Sequence, residues 1–158
     1  MEGAVGVRPR SRESEGPALG EPPPGAYDRP VAAVSEIMAG DVLGVAPETS
    51  LLDAARRMHE RRVGAVVVLD GERLVGILTE RDVLRAVATD RVEGQVSESM
   101  THSPDTIDAD EQAGHAAALM IHGGFRHLPV VDGETVVRMI SIRDLVRLIV
   151  DDEAPRGA

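Results

Sequence analysis

Apolar residues recur along this chain in short blocks, and two kinds of block alternate. Val66-Val67-Val68-Leu69 and Leu128-Pro129-Val130-Val131 are brief continuous runs, suited to strands buried on both faces. Leu51, Ala54, Ala55 and Met58 recur at three- and four-residue intervals, as do Ala113, Ala116, Ala117 and Met120, so each set predicts an amphipathic helix. Asp70-Gly71 and Asp132-Gly133 turn the chain after the apolar runs. Second strands are expected at 74–78 and 136–140, ending at Thr79 and Ser141, with amphipathic helices starting near Glu80 and Ile142. Ahead of each set, short strands at 42–45 and 105–107 lead to helix starts. There Ser50 with Asp53, and Asp108 with Glu111, have capping-box spacing. The order is β-α-β-β-α, twice.

The duplication is written in the residues themselves. A shift of 62 positions lays Val34-Ser35-Glu36 on Val96-Ser97-Glu98 and Met38 on Met100. The same shift lays Ala54, Ala55 and Met58 on Ala116, Ala117 and Met120, and Asp70-Gly71-Glu72 on Asp132-Gly133-Glu134. Arg81-Asp82 and Arg85 fall on Arg143-Asp144 and Arg147. One offset held without a gap over some fifty residues means two copies of one supersecondary unit. The copies span residues 31–92 and 93–151. Residues 1–30, rich in Gly, Pro, Glu and Ser, predict a disordered tail, and 152–158 a second short tail.

Composition narrows the chemistry. With one Phe, one Tyr and no Trp in 158 residues, the core must come from Val, Leu, Ile, Ala and Met. Met58 and Met120 are core fillers. A formal charge of −10 argues against DNA or RNA, whose binding rests on phosphate neutralisation, yet permits one nucleotide in a locally basic cleft. The sequence has no Lys, which removes amine chemistry and leaves the planar, bidentate donors of Arg. The absence of Cys removes disulfides, thiolate catalysis and Cys-based zinc sites. No apolar run reaches the length of a membrane span and no signal peptide opens the chain, so a cytoplasmic protein is expected.

A short motif sits at the second strand-to-helix junction of each copy. The first reads Gly76-Ile77-Leu78-Thr79-Glu80-Arg81-Asp82; the second reads Arg138-Met139-Ile140-Ser141-Ile142-Arg143-Asp144. A hydroxyl at the strand end and a carboxylate one turn into the helix stand on the same side of the junction. A carboxylate accepting two hydrogen bonds can grip the vicinal hydroxyls of a ribose. Gly allows close approach of a ligand or of neighbouring backbone. Motif and repeat together resemble the CBS domain, named for cystathionine beta-synthase, in its tandem-pair form, over about residues 34–150. The second copy departs from the family pattern by carrying Arg138 in place of the Gly.

The resemblance implies an α+β fold, with two β-α-β-β-α repeats about a pseudo-twofold axis, and clefts completed by the opposite repeat. The first nucleotide site would then use Gly76, Ile77, Thr79 and Asp82 with Ile107, Arg126, His127 and Pro129. Arg126 would offer a cationic fork to phosphate, with His127 as a second donor. A second, weaker site would use Ser141 and Asp144 with Val45, Gly64, Ala65 and Val67. It lacks Arg or His at the aligned positions, and Arg138 leaves it blocked or repurposed. The ligand expected is an adenosyl compound: AMP, ADP or ATP, or in a wider class NAD(H) or S-adenosylmethionine. No cofactor is required.

Plainer readings stand beside these. Thr79 and Asp82 also have the spacing of a helix-capping pair, and both roles can hold together. Arg126 and His127 can be the solvated start of a strand, and Pro129 can mark a strand start or edge. His115 and His122 share a helix face, but without Cys or an HExxH pattern they do not argue for zinc. Arg56-Arg57 with Arg61-Arg62 read as a solvated helix face. The sequence thus favours a non-catalytic, energy-sensing regulatory module that binds its ligand between repeats and acts by shifting them. A homodimer is expected, with an unidentified regulated protein as partner. The competing reading is a ligand-free dimerisation or partner-binding scaffold. An enzyme is disfavoured, since no nucleophile, base or metal set is recognisable.

Overall fold

Hydrogen bonding turns the two apolar runs into the centres of two separate sheets. The computed structural model describes residues 32–37 and 41–153. The expected N-terminal tail lies outside the described residues, as do 154–158 of the expected C-terminal one. In the first copy the elements are α1 (Val34–Ile37), β1 (Gly44–Val45), α2 (Leu51–Arg61), β2 (Ala65–Asp70), β3 (Arg73–Thr79) and α3 (Glu80–Ala88). The second copy contributes α4 (Val96–Ser99), β4 (Thr101–His102), β5 (Ile107–Asp108), α5 (Ala113–Gly123), β6 (His127–Asp132), β7 (Thr135–Ser141) and α6 (Ile142–Glu153). The β-α-β-β-α order is present in both, and the fold is α+β with its halves related by a pseudo-twofold axis.

The sheets run β1-β2-β3-β4 and β5-β6-β7. β1 is parallel to β2 through Val45 and Val68, and β5 to β6 through Ile107 and Val130, positions 62 apart in both strands. The two hairpins bulge at matching places, between Val68 and Leu69 and between Val130 and Val131. Gly71 and Gly133 take φ of +63° and +61°, which a side chain would resist, as the first central residues of two-residue turns. Val66 and Val68 belong to the first core, while Val67 between them is equally buried although it belongs to neither core cluster. The sheet is therefore covered on both faces, and β3 touches β7 across the axis. That explains a continuous apolar run where a half-exposed strand would alternate.

Two sequence expectations are corrected here. The parallel strands are shorter than expected and the second is displaced to Ile107–Asp108. Asp108 and Glu111 do not cap a helix. α5 begins at Ala113 with Gln112 as its N-cap, the position 62 residues after Ser50. Ser50 does cap α2, accepting the Asp53 N–H at 3.1 Å. The segment 108–111 instead forms a tight turn, in which the Glu111 N–H donates to the Asp108 carbonyl at 3.2 Å.

The leading turns of the two copies are exchanged. Val34 of α1 is buried with Ile107, Ala116, Leu128 and Ile140 of the second copy. Val96 of α4 is buried with Val45, Leu51, Val66 and Leu78 of the first. α1 is held there by Val34 and Ser35 N–H groups donating to Glu111 and Ala109 carbonyls at 2.8 and 2.9 Å. Val96 and Ser97 N–H groups bond Thr49 and Pro47 in the same way. Each sequence repeat thus completes the core of the other.

Candidate functional site

Both motif carboxylates are fixed by the strand end that precedes them. Thr79 closes β3 in an extended conformation and Asp82 lies one turn into α3. Asp82 is only 5% exposed. Its Oδ2 accepts the Thr79 backbone N–H at 2.9 Å and the Thr79 hydroxyl at 2.7 Å, while Arg85 reaches Oδ1 at 3.3 Å. Asp144 repeats the arrangement, with the Ser141 N–H and hydroxyl both at 2.7 Å from its Oδ2. The capping role is therefore real. It uses one oxygen of each carboxylate and leaves acceptor capacity on the other, since an ionised carboxylate has about four acceptor sites.

Asp82 opens onto a cavity of about 310 Å³ between the copies. Ile77 and Thr79 of the first copy line it together with Phe125, Arg126 and His127 of the second, and Pro104 is also in the lining. Asp144 opens onto a larger cavity of about 770 Å³, lined by Ser141, Gly64 and Ala65 together with Arg62, Arg143 and Arg147. Arg138 is not among its lining residues. The guanidinium of Arg138 turns instead to Asp41, at 3.4 Å. Arg138 thus stands outside the lining but is paired with Asp41, a residue that belongs to it.

This paired architecture agrees with what is found in other proteins. The CBS domain family model matches residues 34–89 and 94–151. The chain belongs to the CBS domain family. An uncharacterized 17.7 kDa protein of the bps2 3' region of Acidianus ambivalens is 35% identical over 120 residues, covering 75% of this chain and 73% of that one. The chain also matches Arabidopsis thaliana CBS domain-containing proteins, of whose length it spans only 19–23%. The CBS domain pair of protein MJ0100, solved with 5'-methylthioadenosine and S-adenosyl-L-methionine, is 26% identical with a TM-score of 0.75, covering 78% of this chain and 100% of that one. PAE2072 from Pyrobaculum aerophilum, solved with AMP, is 29% identical with a TM-score of 0.70, covering 78% of this chain and 98% of that one.

Within this CBS pair the residues singled out from sequence divide into two groups. Ile77, Thr79, Asp82, Arg126 and His127 meet at the smaller cavity, and Ser141, Asp144, Gly64 and Ala65 at the larger. Gly76, Ile107 and Pro129 do not line the first, nor Val45 and Val67 the second. Ile107 and Val45 are buried in the two cores, Pro129 is wholly buried in β6, and Val67 is wholly buried in β2. Gly76 serves the fold: a Cβ there would collide with Met100 Sδ and stand 3.0 Å from the Thr101 carbonyl oxygen. The 62-residue shift lays Met38 on Met100, and Met38 lies outside the described residues.

Burial lowers the pKa of His127 below its ordinary value, and the carboxylate of Glu80 partly opposes the shift. Phe125 was not anticipated as a site residue. The signal was available, since it is the single Phe of the chain and directly precedes Arg126. His115 bonds Glu111 through Nδ1 at 3.0 Å. Among the described residues no helix is long and apolar enough to cross a membrane.

Proposed function

We propose that this CBS pair is a non-catalytic regulatory module that binds an adenosyl nucleotide beside Asp82. The observation that carries the reading is a buried carboxylate lining a cavity that also contains Arg126 and His127, with one oxygen held by Thr79 and the other reached by Arg85. Asp82 Oδ1 would receive the ribose hydroxyls, Phe125 would offer its ring to the base, and Arg126 would meet phosphate. AMP in PAE2072, and 5'-methylthioadenosine with S-adenosyl-L-methionine in MJ0100, support an adenosyl ligand. Ligand held between the copies favours whichever arrangement binds it better, and the shift is limited to that difference in affinity. A cytoplasmic location and a separate regulated protein belong to the same proposal.

A thermal-shift screen with AMP, ADP, ATP, NAD(H) and S-adenosylmethionine tests it. At a hundred times its dissociation constant a ligand adds about 2.7 kcal/mol to stability, which reads as a higher Tm. Asp82→Ala should remove that ligand-dependent rise whatever it does to the unliganded Tm. No rise with any adenosyl ligand would contradict the proposal.

One observation favours a second role beside this one. Leu84 of α3 and Val146 of α6, 62 positions apart, are 67% and 51% exposed. Two equivalent apolar positions exposed on a pseudo-symmetric pair fit a homodimer built on these helices. If no nucleotide binds, that surface supports the scaffold reading.

A further inference from the structure

The wall between the two cavities carries charged groups that the pseudo-twofold axis does not repeat. Glu80, Arg126 and His127 line both cavities. The 62-residue shift places Gly64 and Ala65 opposite Arg126 and His127, and Ile142 opposite Glu80. Where the pseudo-twofold axis would supply two sets of charged groups, the wall holds one guanidinium, one imidazole and one carboxylate. The wall is also thin. A Cβ on Gly64 would stand 3.0 Å from Nε2 of His127, so Gly64 leaves room for the imidazole that reaches across.

We propose that Arg126 is a single anion donor shared by the two cavities, so that a phosphate-bearing ligand in one weakens binding in the other. The inference rests on the nucleotide reading above. Arg126 Nη2 lies 3.5 Å from Glu80 Oε1, and both side chains are more than half exposed, so the pair can part. The backbone beneath is pinned, since the Glu80 N–H donates to the Gly64 carbonyl at 3.0 Å and the Ile142 N–H to the Arg126 carbonyl at 2.9 Å. The movable part is therefore the side chain. A phosphate in the Asp82 cavity draws the guanidinium off Glu80. The carboxylate left behind then faces the Asp144 cavity and opposes a second anion there. Arg62, Arg143 and Arg147 keep that cavity cationic enough to bind, but less tightly. Linkage makes the effect reciprocal, and a solvent-exposed pair sets it near the low end of such couplings, about fivefold.

Calorimetric titration with AMP of the wild type, Asp82→Ala, Asp144→Ala, Arg126→Gly and Glu80→Gln tests the proposal. The Asp variants each leave one cavity and give its affinity alone. The wild type is expected to bind its second AMP about fivefold more weakly than the same cavity does alone. In Arg126→Gly that gap should close, and in Glu80→Gln, where the guanidinium is still shared, it should narrow. One AMP per wild-type chain becoming two in Arg126→Gly is the limiting form of the same result. Wild-type steps that match the isolated cavities, a tighter second step, or a gap that survives both substitutions would overturn the inference alone. A single AMP per chain in both wild type and Arg126→Gly would overturn it too. Failure of every variant, wild type included, to bind AMP would overturn the nucleotide reading and this inference with it.

Discussion

Val34 and Val96 occupy equivalent positions in the two repeats, and each is wholly buried in the core of the other. The two halves are therefore stapled together by short turns and not only by the sheet faces that meet across the axis. Removing two methyl groups from such a site costs about 2 kcal/mol, the transfer term plus the cavity left behind. Val96→Ala should lower stability by that amount in urea unfolding. It should also speed amide exchange in β2 and β3 of the first copy before β6 and β7 of the second. Faster exchange in the second copy first would contradict the exchanged packing.

Arg62 ends α2 at φ 54°, in the left-handed region, where its counterpart Gly124 ends α5 at φ 69°. A side chain resists that conformation by roughly 1–2 kcal/mol, whereas Gly does not, at some entropic cost of its own. Arg62 also lines the Asp144 cavity. Strain retained at a cavity wall fits a residue kept for its charge. Arg62→Gly should raise the stability of the unliganded protein by about 0.5–1 kcal/mol and weaken anion binding beside Asp144. A variant that gains no stability would remove the argument from strain.

His127 gives the fold a defined pH response. Burial lowers its pKa in the folded state below 6.5, so between those two values the unfolded chain binds more protons than the folded one. Its contribution to stability is complete above pH 6.5 and is lost as pH falls from there through the folded value. Denaturation of wild type and His127→Gln at pH 7.5 and at pH 5.5 isolates the effect. The wild type should lose more stability on acidification than the variant, and equal losses would contradict the assignment.

The exposed pair Leu84 and Val146 predicts where two chains meet. Leu84→Glu with Val146→Glu should convert a dimer to a monomer in sedimentation at micromolar concentration, while the circular dichroism spectrum stays that of the wild type. A wild type that is monomeric, or a double variant that remains dimeric, would rule out these helix faces as the interface.

Much of this was legible in the residues because a repeat reads itself twice. The 62-residue shift located both hairpins and the starts of α3 and α6, and it would have placed the α5 N-cap at Gln112. Reading Asp108 and Glu111 as a capping pair preferred residue type over that register and gave the wrong start. The exchange of Val34 and Val96 was not legible, since periodicity tells that a residue is buried and not which core receives it. The two-residue strand β4 was too short to carry a pattern. Of the site, Thr79 and Asp82 came from the motif, and Arg126 and His127 from what the resemblance to the CBS family implies about the opposite repeat. The arginines of the larger cavity needed the three-dimensional approach of the copies, whereas Phe125, next to Arg126, carried a signal in the sequence that was passed over. The ion pair of Arg138 with Asp41, a lining residue of the larger cavity, joins distant parts of the chain and was not legible in the motif.

An adenosyl nucleotide in the Asp82 cavity can be followed residue by residue through amide chemical shifts during an AMP titration. Saturable shifts are expected to centre on Thr79, Asp82, Phe125, Arg126 and His127 and to be absent in Asp82→Ala. An AMP titration that leaves these amides unmoved, or moves only residues of the outer helix faces around Leu84 and Val146, would contradict it.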